Sequence, residues 1–246
     1  MKRLTNQPTE RPTTHVLVLG AGYAGLLFTM RLVGKTSAKD VRITLVNDAP
    51  HFTERLRMHQ YAANQTLTWR SLPRMLAKTH VAFIEGKATH IDVGGRAVTV
   101  ETPAQTRIFS FDYLVLAIGS LTDRDRIPGV AEYAYTLAPR GPLSAAALRE
   151  MLPALAQRGG RVVVVGGGPT GVESAAELAS SYPRLDVHLV TEGKPGGAFG
   201  KDISEYMGRT LTRLGVQMHA EATVTAVGAD GVTTAAGEAI PCDVCL

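Results

Sequence analysis

Two glycine turns constrain this chain more than any other feature: Gly20-Ala21-Gly22-Tyr23-Ala24-Gly25 and Gly166-Gly167-Gly168-Pro169-Thr170-Gly171. Each follows a short run rich in β-branched residues, His15–Leu19 and Arg161–Val165, and each precedes a helical pattern, Leu26–Val33 and Val172–Ser181. Strand, GxGxxG turn and helix in that order form a dinucleotide-binding fingerprint. The first glycine makes the turn, the second lets the backbone approach a pyrophosphate, and the third lets helix and strand pack closely. The helix N-terminus then presents unpaired N–H groups and a positive dipole end to the phosphates. One such turn is weak evidence. Two in the same context predict an α/β protein of two Rossmann-like three-layer dinucleotide-binding domains.

Between the turns the pattern changes. Val41–Val46 reads as the second strand of the first unit, and Phe52–Ala63 and Leu67–Lys78 as two short helices. Val81–Glu85, Ala88–Val93, Ala97–Glu101 and Arg107–Phe109 are short strands broken by Gly94-Gly95 and Pro103, a β-meander inserted in the first domain. Tyr113–Ile118 reads as a buried apolar strand ending at Gly119. In the second half Leu143–Gln157 and Ile203–Leu214 are helical, and Asp186–Val190, Val216–Ala220, Thr223–Val227 and Val232–Ala235 are strands. Val244–Leu246 starts another. The division expected is a frayed tail over 1–14, a first domain over 15–120 and a second over 121–246.

Composition excludes several classes. Lys and Arg exceed Asp and Glu by only four charges and are scattered, so no nucleic-acid surface is expected. The polar, proline-bearing start is no signal peptide, and no window is long and apolar enough for a transmembrane segment. The cysteines number two, Cys242 and Cys245, which excludes a disulfide framework and fits a reducing, cytoplasmic setting. His51 and His59 lack metal-ligand spacing and read as surface or ligand-lining groups; no metal site is expected.

The fingerprint also assigns a ribose contact to an acid at the end of the second strand. The first unit has Asn47 there, which accepts only without charge assistance, followed by Asp48. The alternative for Asn47 is a plain turn residue.

Phe109-Ser110-Phe111-Asp112-Tyr113-Leu114-Val115-Leu116-Ala117-Ile118-Gly119-Ser120 resembles the strand that returns to the flavin domain in the pyridine-nucleotide oxidoreductase superfamily, and Val162–Glu173 resembles the glycine stretch of type II NADH dehydrogenases and of their apoptosis-inducing-factor-like relatives. The resemblance implies FAD at Gly20, Ala21, Gly22, Tyr23, Ala24 and Gly25, with Asn47, Asp48, Arg57, Ala88, Ala117 and Gly119 around it. It implies a nicotinamide nucleotide at Gly166, Gly168, Thr170 and Gly171. Glu192 would take the ribose contact where the family's usual acid position holds Thr191. A carboxylate there disfavours a 2′-phosphate, so NADH is preferred over NADPH, with Lys194 nearby as a counter-argument. Glu173 is implied near the meeting of nicotinamide and flavin, as the catalytic candidate; the alternative is a solvated Glu in the first helical turn. Arg57 reads otherwise as an exposed helix arginine.

The implied activity is hydride transfer from NADH to FAD and on to a small-molecule acceptor such as a quinone. The alternative is a nucleotide-binding module without turnover. Members that use thiol chemistry carry earlier cysteines, and Cys242-x-x-Cys245 reads as strand residues on opposite sides. Family members return to the flavin domain with a "GD" motif and add an interface domain; neither is found here, so the first sheet is expected to be incomplete with an open edge. A homodimer and a membrane-peripheral location are implied for a full-length form.

Overall fold

The computed structural model describes residues 13–246, so the tail expected over 1–14 lies outside it except for its end, and Thr14 is already the first residue of a strand. The described chain forms two compact units: one holds the residues up to Glu54 together with Thr68–Ser120, the other Arg55–Leu67 together with Leu121–Leu246.

In the first unit β1 (Thr14–Leu19), β2 (Val41–Asn47), β5 (Val81–Glu85) and β9 (Tyr113–Leu116) form a parallel sheet in the order β5-β2-β1-β9. Alternation along β1 sorts its side chains between two cores. Val16 and Val18 pack with Leu26 of α1 (Tyr23–Val33) and with Leu72 and Leu76 of α3 (Leu72–Leu76). Leu17 and Leu19 pack with Val98 and Val100 of β7 (Ala97–Glu101), the middle strand of an antiparallel meander with β6 (Lys87–Asp92) and β8 (Thr106–Ser110). Helices on one face and the meander on the other make the three layers. Each fully buried Leu or Val contributes about 1.5–3 kcal/mol.

Three expectations need correction. The predicted helix Phe52–Ala63 is split: Phe52 belongs to β3 (His51–Phe52), which pairs with β4 (Arg70–Ser71), and the α-helix is only α2 (Met58–Ala62). The second helix shrinks to α3, because the Ser71 side chain caps it by accepting from Arg74 N–H and Pro73 fits its first turn. The strand at Tyr113 is not buried. Tyr113 is 64% and Leu116 60% exposed, because β9 pairs with β1 on one side and has no strand on the other among the described residues. An apolar strand normally has both faces covered; this one is the open edge.

The second unit repeats the design. β10 (Arg161–Val165), β11 (Asp186–Val190), β12 (Gln217–His219) and β16 (Val244–Cys245) form a parallel sheet in the order β12-β11-β10-β16. Val162 and Val164 face α5 (Ala145–Gln157), α6 (Pro169–Ser181) and α7 (Lys201–Arg213), while Val163 faces a small antiparallel sheet of β13 (Val224–Gly228), β14 (Gly231–Thr234) and β15 (Ala239–Pro241). The sequence reading missed β15 and the short helix α4 (Val130–Tyr133).

Segment 55–67 joins this second core. Met58, Ala62 and Ala63 are buried with Leu148, Leu152 and Val172. Arg149 Nη1 donates to the carbonyls of Tyr61 (2.8 Å) and Gln65 (2.7 Å), and its guanidinium lies 4.8 Å from the centre of the Tyr61 ring. A planar fork that satisfies two carbonyls and stacks on a ring is a use lysine cannot match.

Candidate functional sites

The first turn shows which glycines the protein itself needs. Gly20 has φ +95°, and a Cβ on it would fall 2.2 Å from the Ala117 carbonyl oxygen. A Cβ on Gly25 would fall 1.9 Å from the Gly20 carbonyl oxygen. Gly22 is different. Its φ of −72° suits any L-residue, and apart from its chain neighbours no atom of the described residues lies within 4 Å of where its Cβ would be. Neither backbone strain nor packing among the described residues asks for glycine there, which leaves the position open to a ligand.

Gly22 is also the N-cap of α1, with no side-chain cap and no acid in the first turn. The first-turn N–H groups of Tyr23, Ala24 and Gly25 therefore have no intrahelical acceptor, and the positive end of the dipole is uncompensated. Tyr23 and Ala24 are exposed. Gly119 (φ +73°) is exposed with open space around it, and the Ala117 backbone lies against the turn.

Asn47 braces this turn. Its Oδ1 accepts from Ala21 N–H at 2.8 Å, and its Nδ2 donates to the Ala49 carbonyl at 2.9 Å. Both ends of the amide thus have local partners, and the exposed Asp48 is the adjacent carboxylate. Ala88 is half-buried on β6, opposite Val100, at a register shift in the meander. Arg57 belongs to the second unit, where Nε donates to Gln60 Oε1 at 2.7 Å.

The second turn has the same logic. Gly166 has φ +117°, and a Cβ on Gly171 would fall 1.9 Å from the Gly166 carbonyl oxygen. Gly168, the uncapped N-cap of α6, has φ −73° and nothing within 4 Å of a Cβ position. A cleft of about 320 Å³ opens here, lined by Gly166, Gly168, Thr170, Gly171 and Ser174. A second of about 420 Å³ meets it at Val165 and Gly166 and is lined by Arg126, Glu192, Ala222 and Thr225. Two clefts that share one glycine turn suit a ligand with two ends and a phosphate centre.

Thr191 parallels Asn47. It is buried, and its Oγ1 lies 2.2 Å from where a Cβ on Gly167 would stand. In both units a neutral residue at the expected acid position braces the turn, and the next residue is an exposed acid: Asp48 in one, Glu192 in the other.

Glu173 is exposed, as a solvated glutamate would be, but stands on α6 beyond its first turn, which holds no acid. Its Oε2 is 3.8 Å from Nδ1 of His59, with side-chain exposures of 56% and 10% respectively. The sequence reading missed this pairing. Its signal depends on which core segment 55–67 joins, and periodicity does not carry that.

Cys245 is buried and Cys242 half-buried, and both are free thiols. Burial, and then the neighbouring Cys242, pushes the Cys245 thiol up to about 12; burial followed by Asp243 raises Cys242. The thiolate is the reactive form, so both are poor nucleophiles. Native protein near pH 8 is expected to alkylate at Cys245 at least roughly a hundredfold more slowly than unfolded protein. Labelling of both cysteines at equal rates in native and unfolded protein would reinstate them as redox candidates. Among the described residues no group of three His, Cys, Asp or Glu side chains is gathered for a metal ion, and no helix is long and apolar enough to cross a membrane.

Two units, each with an uncapped helix behind a glycine turn that keeps room for a ligand, define a protein built for two dinucleotides. The family described as pyridine nucleotide-disulphide oxidoreductase matches residues 14–246, and the chain belongs to it. It is 30% identical over 245 residues to an NADH dehydrogenase-like protein of Mycobacterium tuberculosis, covering 92% of this chain and 60% of that protein. It is 29% identical over 230 residues to the demethylphylloquinone reductase of Synechocystis, covering 89% of this chain and 56% of that protein. The chain thus spans 60% or less of these relatives' lengths. Its fold is shared with NDH2 of Plasmodium falciparum solved with NADH: TM-score 0.79 at 18% identity, covering 95% of this chain and 54% of that one.

Proposed function

We propose that this chain is the two-nucleotide part of an NADH:acceptor oxidoreductase, with FAD at Gly20–Gly25 and NADH at Gly166–Gly171. The observation that supports the reading most is that Gly22 and Gly168, each the uncapped N-cap of a helix behind a glycine turn, are left open by the described residues. It assigns residues 15–120 to flavin binding and 121–246 to NAD(P)H binding, segment 55–67 keeping company with the latter. Bound together, the two cofactors supply the redox chemistry: a hydride from NADH to flavin, and two electrons onward to an acceptor such as a quinone.

The protein's own contribution is binding and orientation. First-turn N–H groups of α1 and α6 hold the pyrophosphates. Since Asn47 and Thr191 are spent on bracing their turns, Asp48 and Glu192 are the acids available to ribose hydroxyls. A carboxylate at Glu192 favours NADH over its 2′-phosphorylated form. Glu173 orders the nicotinamide or carries a proton, with His59 beside it. Ala88, Ala117 and Gly119 frame the flavin through their backbones, and Arg57 is assigned to it from the resemblance. Homodimer assembly, a cytoplasmic setting and peripheral membrane attachment belong to the same reading.

The test is the visible spectrum. Protein refolded with FAD should be yellow, and anaerobic NADH should bleach the flavin band. A colourless product would sink the flavin assignment. NADH that binds without bleaching would leave a nucleotide-binding module without turnover.

A further inference from the structure

Away from the glycine turns, the second unit lines up a chain of charged and titratable groups, of which His188 is buried and the others are partly or fully exposed. Arg161 Nε donates to Asp186 Oδ2 at 2.6 Å, and Gln217 Nε2 donates to Asp186 Oδ1 at 2.9 Å. His188 Nε2 lies 3.1 Å from the same Oδ1, and His188 Nδ1 lies 2.9 Å from His219 Nε2. His188 is buried in mid-strand, and the two imidazoles lie nearly coplanar, 18° apart, with their centres separated by 5.1 Å as an in-line ring hydrogen bond requires.

The protons in this chain follow from the partners. Asp186, held ionised by Arg161, only accepts, so His188 Nε2 carries a hydrogen and donates to it. His188 Nδ1 is then the acceptor, and His219 Nε2–H donates. One added proton is tolerated, since either ring can be the donor. A second puts N–H against N–H at 2.9 Å, and the bond is lost.

What the pair holds is the strand end that carries Thr191 and Glu192. Thr191 N–H donates to the His219 carbonyl at 2.9 Å, and Ala222 N–H donates to the Thr191 carbonyl at 2.9 Å. Thr191 in turn packs its side chain against Gly167 of the nucleotide turn. We propose that the His188–His219 hydrogen bond is a positioning device for the nucleotide site, fixing Thr191 and Glu192, and that double protonation of the pair releases it and weakens nucleotide binding. The inference rests on the nicotinamide assignment above.

The groups that act on His188 are Arg161 from β10, Asp186 on its own strand and His219 from β12. The small sheet covers this face of the parallel sheet with Val224, Val227, Val232 and Ile240, which carry no charge. Burial is the largest influence on His188 and holds it below its ordinary value of 6.5, with Asp186 opposing and Arg161 assisting. A lowered imidazole adds stability that is complete above its unfolded value and is lost as pH falls through its folded one. The bond therefore survives at neutral pH and opens on the acid side.

The experiment measures NAD⁺, which withstands acid, by titration calorimetry near pH 7.5 and near pH 5.5. Wild-type affinity should fall about fivefold to tenfold. His219→Gln should show no such fall, because its amide can donate to neutral His188 or accept from charged His188. His219→Ala should bind weakly at both values. A wild-type affinity equal at both pH values, or a His219→Gln variant that falls as wild type does, overturns the proposal. If NAD⁺ does not bind at any pH, the nicotinamide assignment fails, and the pair is judged by NMR instead. Acidification should then remove the ¹⁵N–¹⁵N coupling between His188 and His219 and move the Thr191 amide resonance together; a Thr191 amide that ignores the loss rejects the device.

Discussion

Gly22→Ala and Gly168→Ala are expected to leave the fold standing and to weaken nucleotide binding at the altered turn by more than about a hundredfold. Both positions have φ values that alanine adopts freely, and apart from chain neighbours neither has an atom of the described residues within 4 Å of the new methyl group. Replacing glycine at such a site removes freedom from the unfolded chain and stabilises by about 0.4–1 kcal/mol. The methyl instead occupies the place where a pyrophosphate must meet first-turn N–H groups within hydrogen-bond distance. An affinity loss of about 3 kcal/mol, more than a hundredfold, follows from losing two or more charge-assisted bonds. Thermal unfolding by circular dichroism checks the first half. Retention of FAD by Gly22→Ala and an NAD⁺ titration of Gly168→Ala check the second. If either variant binds as wild type does, the open space at that glycine has another explanation.

Gly25→Ala and Gly171→Ala should do the reverse and attack the fold. Each new methyl would stand 1.9 Å from a backbone carbonyl oxygen of the turn, Gly20 or Gly166, in a place where helix and strand are packed. Relief requires the helix to move away from the sheet, taking Leu26 or Val172 out of its core. Overpacking of this kind costs about 3 kcal/mol or more, a large share of a total near 5–15 kcal/mol. Urea unfolding followed by circular dichroism reads it directly, and a midpoint equal to wild type would show that helix and turn are not packed as described. The four variants together separate glycines kept for a ligand from glycines kept for the chain.

Much of this was legible because it is local. A β-branched run, a glycine turn and a helix follow one another within about twenty residues, and the Val-rich strands of both sheets announce themselves by composition. The open edge at β9 was anticipated from the resemblance, yet the strand itself read as buried, since Tyr113–Ile118 is apolar on both faces and pattern alone cannot count a strand's neighbours. The bracing roles of Asn47 and Thr191 were also hidden. They depend on an Ala21 N–H and on Gly167, 26 and 24 residues away. Hardest of all was segment 55–67. Its Leu, Met and Arg content describes a short helix equally well whichever core receives it, and what decides the matter is Arg149, more than eighty residues later. The His59–Glu173 contact was illegible for the same reason.

That segment has a consequence for how such a protein can be inherited. The chain passes between the units at three points, after Glu54, Leu67 and Ser120, so neither unit is a contiguous stretch of the polypeptide. A recombination event that exchanged the second half at residue 120 would leave Met58, Ala62 and Ala63 behind and bring in a core shaped for a different visitor. The two units resemble each other as though one were copied from the other, but in this chain they can no longer be traded separately.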